Sequence, residues 1–118
     1  MNPETPIMQR VRLAVGARSD VRIFRNNTGG AWAGKIIERT NSRVVLMEPY
    51  WVKFGLCVGS SDLIGWRVGT GQFVALEVKQ PGLIATPEQA VFIRNVNAGG
   101  GIAAVVHSPE EALSVLGA

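Results

Sequence analysis

Two matching helix-start signatures, Thr86-Pro87-Glu88-Gln89 and Ser108-Pro109-Glu110-Glu111, constrain this chain more than any other feature. In each, a hydroxyl residue able to cap orphan backbone N–H groups precedes a proline suited to the first helical turn. In the first, Gln89 at the third helical position completes a capping box. That helix runs to about Ala98, where Gly99-Gly100-Gly101 ends it. Ile102 to Val106 then reads as a buried strand, and the second signature opens a last short helix.

Upstream, Ile7, Met8, Val11 and Val15 fall at helical spacing, with Arg10 and Arg12 on other faces, so an amphipathic helix covers Thr5 to Val15. Asn2-Pro3 and Thr5-Pro6 are alternative starts. From Val21 the period changes: Val21, Ile23 and Phe24 form a strand running into the turn Asn26 to Gly30. Trp32 to Glu38 and Arg43 to Glu48 make a β-ribbon joined at Thr40-Asn41-Ser42. Pro49 is expected to stop its second strand and leave Tyr50 to Ser61 as a loop. Asp62 to Arg67 and Phe73 to Lys79 follow as two strands with apolar residues at odd and even positions, the pattern of strands covered on both faces. The order is α-β-β-β-β-β-α-β-α: an α/β fold with a mixed sheet flanked by helices, in a single domain spanning 1–118.

A chain of 118 residues, 47% hydrophobic and 18% charged, can bury a real core and lacks the signature of disorder. No apolar stretch approaches the roughly 20 residues that cross a bilayer, and no secretory signal opens the sequence, so a cytoplasmic setting is expected. One cysteine, Cys57, and one histidine, His107, exclude an internal disulfide and a cysteine-based zinc cluster. Any metal must sit on oxygen. Cys57 reads as a small buried apolar residue and His107 as structural. A formal charge of +3 and a pI near 9.6 attract polyanions mildly.

Glu77 and Lys79 stand two apart in an otherwise apolar strand and so project from one face. If the hairpin turns at Gly69-Thr70, Ile64 lies opposite Ala75, Trp66 opposite Phe73, and Asp62 opposite Glu77. A slip of one residue would separate the two acids. Facing carboxylates repel unless a cation compensates them, and Lys79 supplies one charge. A hard divalent ion such as Mg²⁺, held by Asp62, Glu77 and the Val78 carbonyl, fits that need. Such a site polarises a phosphodiester and activates water, with Lys79 orienting the nucleophile or stabilising the transition state. The plainer alternative has Asp62 capping a turn and Glu77 pairing Lys79 on a sheet edge.

The blocks Gly59-Ser60-Ser61-Asp62-Leu63-Ile64-Gly65, Phe73 to Gly82, Thr86 to Gln89, and Gly99 to Val106 with Ser108 to Ala112 together resemble the VRR-NUC family of the PD-(D/E)xK nuclease superfamily. The resemblance implies a restriction-endonuclease-like core, Mg²⁺ or Mn²⁺ dependence and DNA cleavage. It puts the metal-binding acids on Asp62 and Glu77, the catalytic lysine on Lys79, a further metal-binding glutamate on Glu4, and a polar residue beside the active site on Gln89. Ser61 stands where the superfamily name has proline. Members this small resemble Holliday-junction resolvases, homodimers that cut branched DNA in repair or in phage-infected cells. Two-fold symmetry in a four-way junction matches two identical sites in such a dimer. The apolar segment around Tyr50, Trp51, Phe54 and Leu56 is either the dimer interface or part of the core.

Candidate phosphate contacts are Arg25, Asn26, Asn27, Lys35, Arg39, Arg43 and Lys53, basic or amide residues ahead of the catalytic hairpin. The alternative function is a DNA-binding module or partner subunit that keeps the fold without cutting. A purely structural or dimerisation domain would explain the caps and core, but not three charges on a central hairpin.

Overall fold

The computed structural model describes residues 4–117, with side chains described from Pro6 onward. Nine elements follow the expected order: α1 (Glu4–Gly16), β1 (Val21–Arg25), β2 (Gly29–Arg39), β3 (Val44–Phe54), β4 (Leu63–Arg67), β5 (Phe73–Val78), α2 (Pro87–Ala98), β6 (Ile102–Val106) and α3 (Pro109–Leu116). A start of the first helix at Asn2-Pro3 lies outside the described residues.

A mixed four-stranded sheet, ordered β1-β4-β5-β6, is antiparallel except between β5 and β6. That parallel step needs a crossover, and α2 provides it. Thr86 and Gln89 form the reciprocal capping box that starts α2, and Ser108 caps α3. One face of the sheet receives α1 and α3. Ile7, Met8, Val11 and Val15 of α1 meet Leu63, Val74, Leu76, Val78 and Val106 of the sheet and Ala112 and Leu116 of α3. Val11 and Val15, one turn apart, are fully buried, and each stabilises the fold by about 1.5–3 kcal/mol. Asp20 ties the edge of this layer together by bridging Arg18 at 2.6 Å and Arg67 at 3.2 Å. The two guanidiniums hold its carboxyl below the usual range, with Arg18 the main cause.

On the opposite face α2 packs chiefly against β6 and β5. β5 is therefore buried on both sides, as expected, but β4 is not: Trp66 remains 44% exposed. Apolar residues at both odd and even positions mark the two strands alike, and only the path of α2 separates them.

Strands β2 and β3 form a separate two-stranded ribbon. Pro49 does not end β3, which continues to Phe54, so the expected loop shrinks to the residues after it. The ribbon has no third strand to need the missing N–H, and proline is tolerated at such an edge. A register shift opposite Gly34 absorbs it, with Glu48 at φ 54°. The ribbon projects: the chain measures 53 × 31 × 28 Å and its radius of gyration is 16.9 Å, against about 13.5 Å for a compact chain of this length. Tyr50, Trp51, Phe54 and Leu56 are exposed on and beside it and are not core. Cys57, expected to be buried, is also exposed, because it lies in the loop that leaves the ribbon.

Candidate active site

The turn after β4 sets the geometry. Arg67 N–H donates to the Gln72 carbonyl and Gly71 N–H to the Arg67 carbonyl, closing a tight turn through Gly69 and Thr70. The resulting register pairs Leu63 with Leu76, Ile64 with Ala75 and Trp66 with Phe73, as the sequence expectation required. Asp62 follows directly on this ladder. Its Oδ2 accepts the Val78 N–H at 2.9 Å, which pins the carboxylate over β5 beside Glu77.

Asn26 secures the approach to Asp62. Its backbone N–H donates to the Asp62 carbonyl at 2.7 Å, extending the β1–β4 pairing by one step. Its side-chain amide donates to Ser60 Oγ at 2.8 Å and to the Ser61 carbonyl at 2.9 Å, and accepts the Leu56 N–H at 3.2 Å. Both ends of this amide are thus engaged within the chain, a clip that an Asn-Asn-Thr-Gly turn gives no hint of in sequence.

Glu77 is 3% exposed on the face of β5 toward α2. Gln89 Nε2 donates to its Oε1 at 3.0 Å, and Lys79 Nζ stands 4.0 Å from the same oxygen. The Gln89 carbonyl oxygen meanwhile accepts the Thr86 N–H at 2.8 Å. One amide therefore closes the capping box and orients a buried carboxylate, where sequence reasoning needed only the first role. The backbone of Lys79 continues the parallel ladder by donating to the Val106 carbonyl at 3.0 Å.

Asp62, Glu77, Val78, Lys79 and Gln89 thus come together at one end of the β4–β5 hairpin. Glu4 is the first residue of α1, inside the helix, and its side chain lies outside the described residues. Arg25 and Asn27 flank the Asn26 clip, exposed. Lys35, Arg39, Arg43 and Lys53 are exposed along the ribbon, and Arg43 pairs with Glu38 at 2.6 Å. His107 anchors the loop beyond β5: its ring nitrogens meet the Leu83 carbonyl at 2.8 Å and Glu111 at 2.9 Å. Those acceptors, the Leu83 carbonyl foremost, raise its pKa.

A family model described as the VRR-NUC domain matches residues 48–110, more than half of the chain. The chain belongs to the VRR-NUC family. The match runs from β3 through the β4–β5 hairpin, α2 and β6 into the first turn of α3, so it contains Asp62, Glu77, Lys79 and Gln89. VRR-NUC domains are related to the PD-(D/E)xK nucleases, and membership makes this a nuclease domain that acts on DNA and requires a divalent metal in general. A search of curated proteins finds no match. No described helix is long and apolar enough to cross a membrane.

The donor set fits a hard cation. Among the described residues no third carboxylate, histidine or cysteine joins Asp62 and Glu77. Two carboxylates against one lysine leave a net negative charge, and two acids supplemented by backbone and phosphate oxygens are the ligand class of Mg²⁺.

Proposed function

We propose that this VRR-NUC chain is a Mg²⁺- or Mn²⁺-dependent endodeoxyribonuclease that cuts branched DNA, such as a four-way junction, as a homodimer. The observation that carries the catalytic part is the pinning of Asp62 to the Val78 N–H beside buried Glu77, with Lys79 Nζ 4.0 Å from Glu77 Oε1. Asp62, Glu77 and the Val78 carbonyl would hold the metal, with Glu4 a further candidate ligand. A divalent ion bound there supplies Lewis-acid polarisation of the phosphodiester and a more acidic water. Gln89 holds Glu77 in one orientation. Lys79 donates to a non-bridging phosphate oxygen and offsets the charge that develops as water attacks phosphorus. Arg25, Asn27, Lys35, Arg39, Arg43 and Lys53 offer donors to the backbone on either side, and Asn26 acts by shaping the loop before Asp62.

The ribbon supports the dimer. Trp32, Ile36, Tyr50 and Trp51 are half or more exposed, on a two-stranded element of a kind that is marginal alone in water. Pairing two ribbons about a two-fold axis would cover them and set two identical sites on one assembly.

The test is cleavage of labelled four-way junction, splayed-arm, single-stranded and duplex DNA with Mg²⁺, Mn²⁺ or EDTA, alongside Asp62→Ala, Glu77→Ala and Lys79→Ala. Metal-dependent cutting lost in all three variants is expected, with paired nicks on the junction and a dimer mass in solution. Binding without cutting in either metal would overturn the catalytic assignment in favour of a non-cleaving DNA-binding module. A monomer that cuts would remove the dimer alone.

A further inference from the structure

The half of the sheet that α2 leaves bare carries an aromatic surface on the catalytic face. Side chains alternate along a strand, so Ile64 and Trp66 of β4 share a face with Phe73, Ala75 and Glu77 of β5. Phe24 of β1, paired with Ile64, completes the surface: its ring lies 5.4 Å from that of Trp66, tilted by 32°. Phe24, Ile64, Trp66 and Phe73 line one open groove. The three rings are 51%, 44% and 37% exposed, too much for core side chains.

We propose that this groove is a stacking platform for unpaired bases of the DNA strand being cut. The inference rests on the nuclease reading and narrows its substrate to DNA with unstacked nucleotides beside the scissile bond. Glu77 lies four residue steps from Phe73, about 13 Å along an extended strand, so the platform begins within a few nucleotides of the acids. Arg22, exposed and paired in register with Trp66, puts a cation on the same face beside the rings. Aromatic rings bordered by a basic residue are the kind of surface that single strands use, because every base has a π-face to stack. Duplex DNA presents only base edges and phosphates, and has nothing to lay on flat, outward-facing rings. A second copy of the chain is the competing occupant, but seating it here would cover the approach to Glu77, and the ribbon already offers apolar surface to a partner.

The test uses the full chain with Asp62→Ala to silence cutting, and measures binding to splayed-arm and fully paired DNA with Trp66 intact, Trp66→Ala or Trp66→Phe. Trp66→Ala is expected to weaken splayed-arm binding by about 5- to 100-fold and to leave duplex binding unchanged, with Trp66→Phe restoring most of the loss. Equal loss on both DNAs, no loss on either, or a fall in oligomeric mass caused by Trp66→Ala would overturn the platform. Failure of the nuclease reading is distinguishable: there the chain with Asp62 intact cuts nothing while the selective dependence on Trp66 persists. If cutting proceeds with Trp66→Ala as it does without it, on every DNA, the platform falls and the nuclease stands.

Discussion

Replacing Gln89 with glutamate separates the two duties of one side chain. The new carboxylate keeps an acceptor for the Thr86 N–H, and the Gln89 N–H still donates to Thr86 Oγ1, so the cap survives. At the other end, the donor 3.0 Å from Glu77 Oε1 becomes a second anionic oxygen. Two unit charges at that separation repel by about 5.5 kcal/mol at an effective dielectric near 20. The lost hydrogen bond, made to a charged acceptor, removes about 1.5–3 kcal/mol more. The acids relieve part of this by moving apart or by sharing a proton. If only the hydrogen bond's share reaches the transition state, cleavage at neutral pH falls by about 10- to 100-fold. The optimum moves to higher pH, where a shared proton is lost. Single-turnover cleavage in saturating Mg²⁺, from about pH 6 to 9, reads both effects, and urea unfolding confirms that the cap is intact. Gln89→Ala is the control: it loses the cap acceptor, costing about 1 kcal/mol of stability, and slows cutting without moving the optimum. A Gln89→Glu protein with the parent's rate and pH profile would refute the orienting role.

Gly65→Ala should cost about 3 kcal/mol in urea unfolding, because an added methyl would sit 1.7 Å from the Arg22 carbonyl oxygen and force β1 off β4; an unchanged midpoint would contradict that contact. Ser61→Ala removes a fully buried hydroxyl with no hydrogen-bond partner among the described residues, so stability should rise by about 1 kcal/mol with the cleavage rate unchanged, and a destabilised variant would reveal a partner. The raised pKa of His107 means that its contribution is full below the unfolded value near 6.5 and is lost as pH rises through the higher folded value. The thermal midpoint should therefore decline from neutral into mildly alkaline pH, and His107→Ala should flatten that slope; an equal slope in both proteins would exclude His107 as its source.

What could be read from the sequence was what short-range rules dictate. The Thr86 and Ser108 caps act over three residues, and the turn at Gly69-Thr70 sets the register that brings Asp62 to Glu77. The ribbon was harder, because a strand with no buried face has no reason to alternate, so Pro49 looked like an end when it is an edge. Cys57 was misplaced for a related reason: composition says which residues tend to be buried, not where the chain turns outward. Apolar residues on both sides of β4 could not reveal the bare half of the sheet, since only the path of α2 decides what is covered. The cap at Gln89 was legible from spacing alone, whereas its place beside the acids came only with the family resemblance, because the cap by itself already explained the residue.

The Asn26 clip and the ribbon also bear on the order of assembly. β1 must find β4 across the 26–62 segment, a closure whose entropic cost grows with the free length between the ends. Zipping β2 to β3 first takes Gly29 to Phe54 out of that free length and brings the two ends of the segment side by side, where Gly29 pairs with Phe54. Shortening the effective loop about threefold lowers its closure cost by about 1 kcal/mol. Early ribbon formation would then speed the docking of the first strand, and a break in the middle of the ribbon should register as slower refolding before it registers anywhere in the finished sheet.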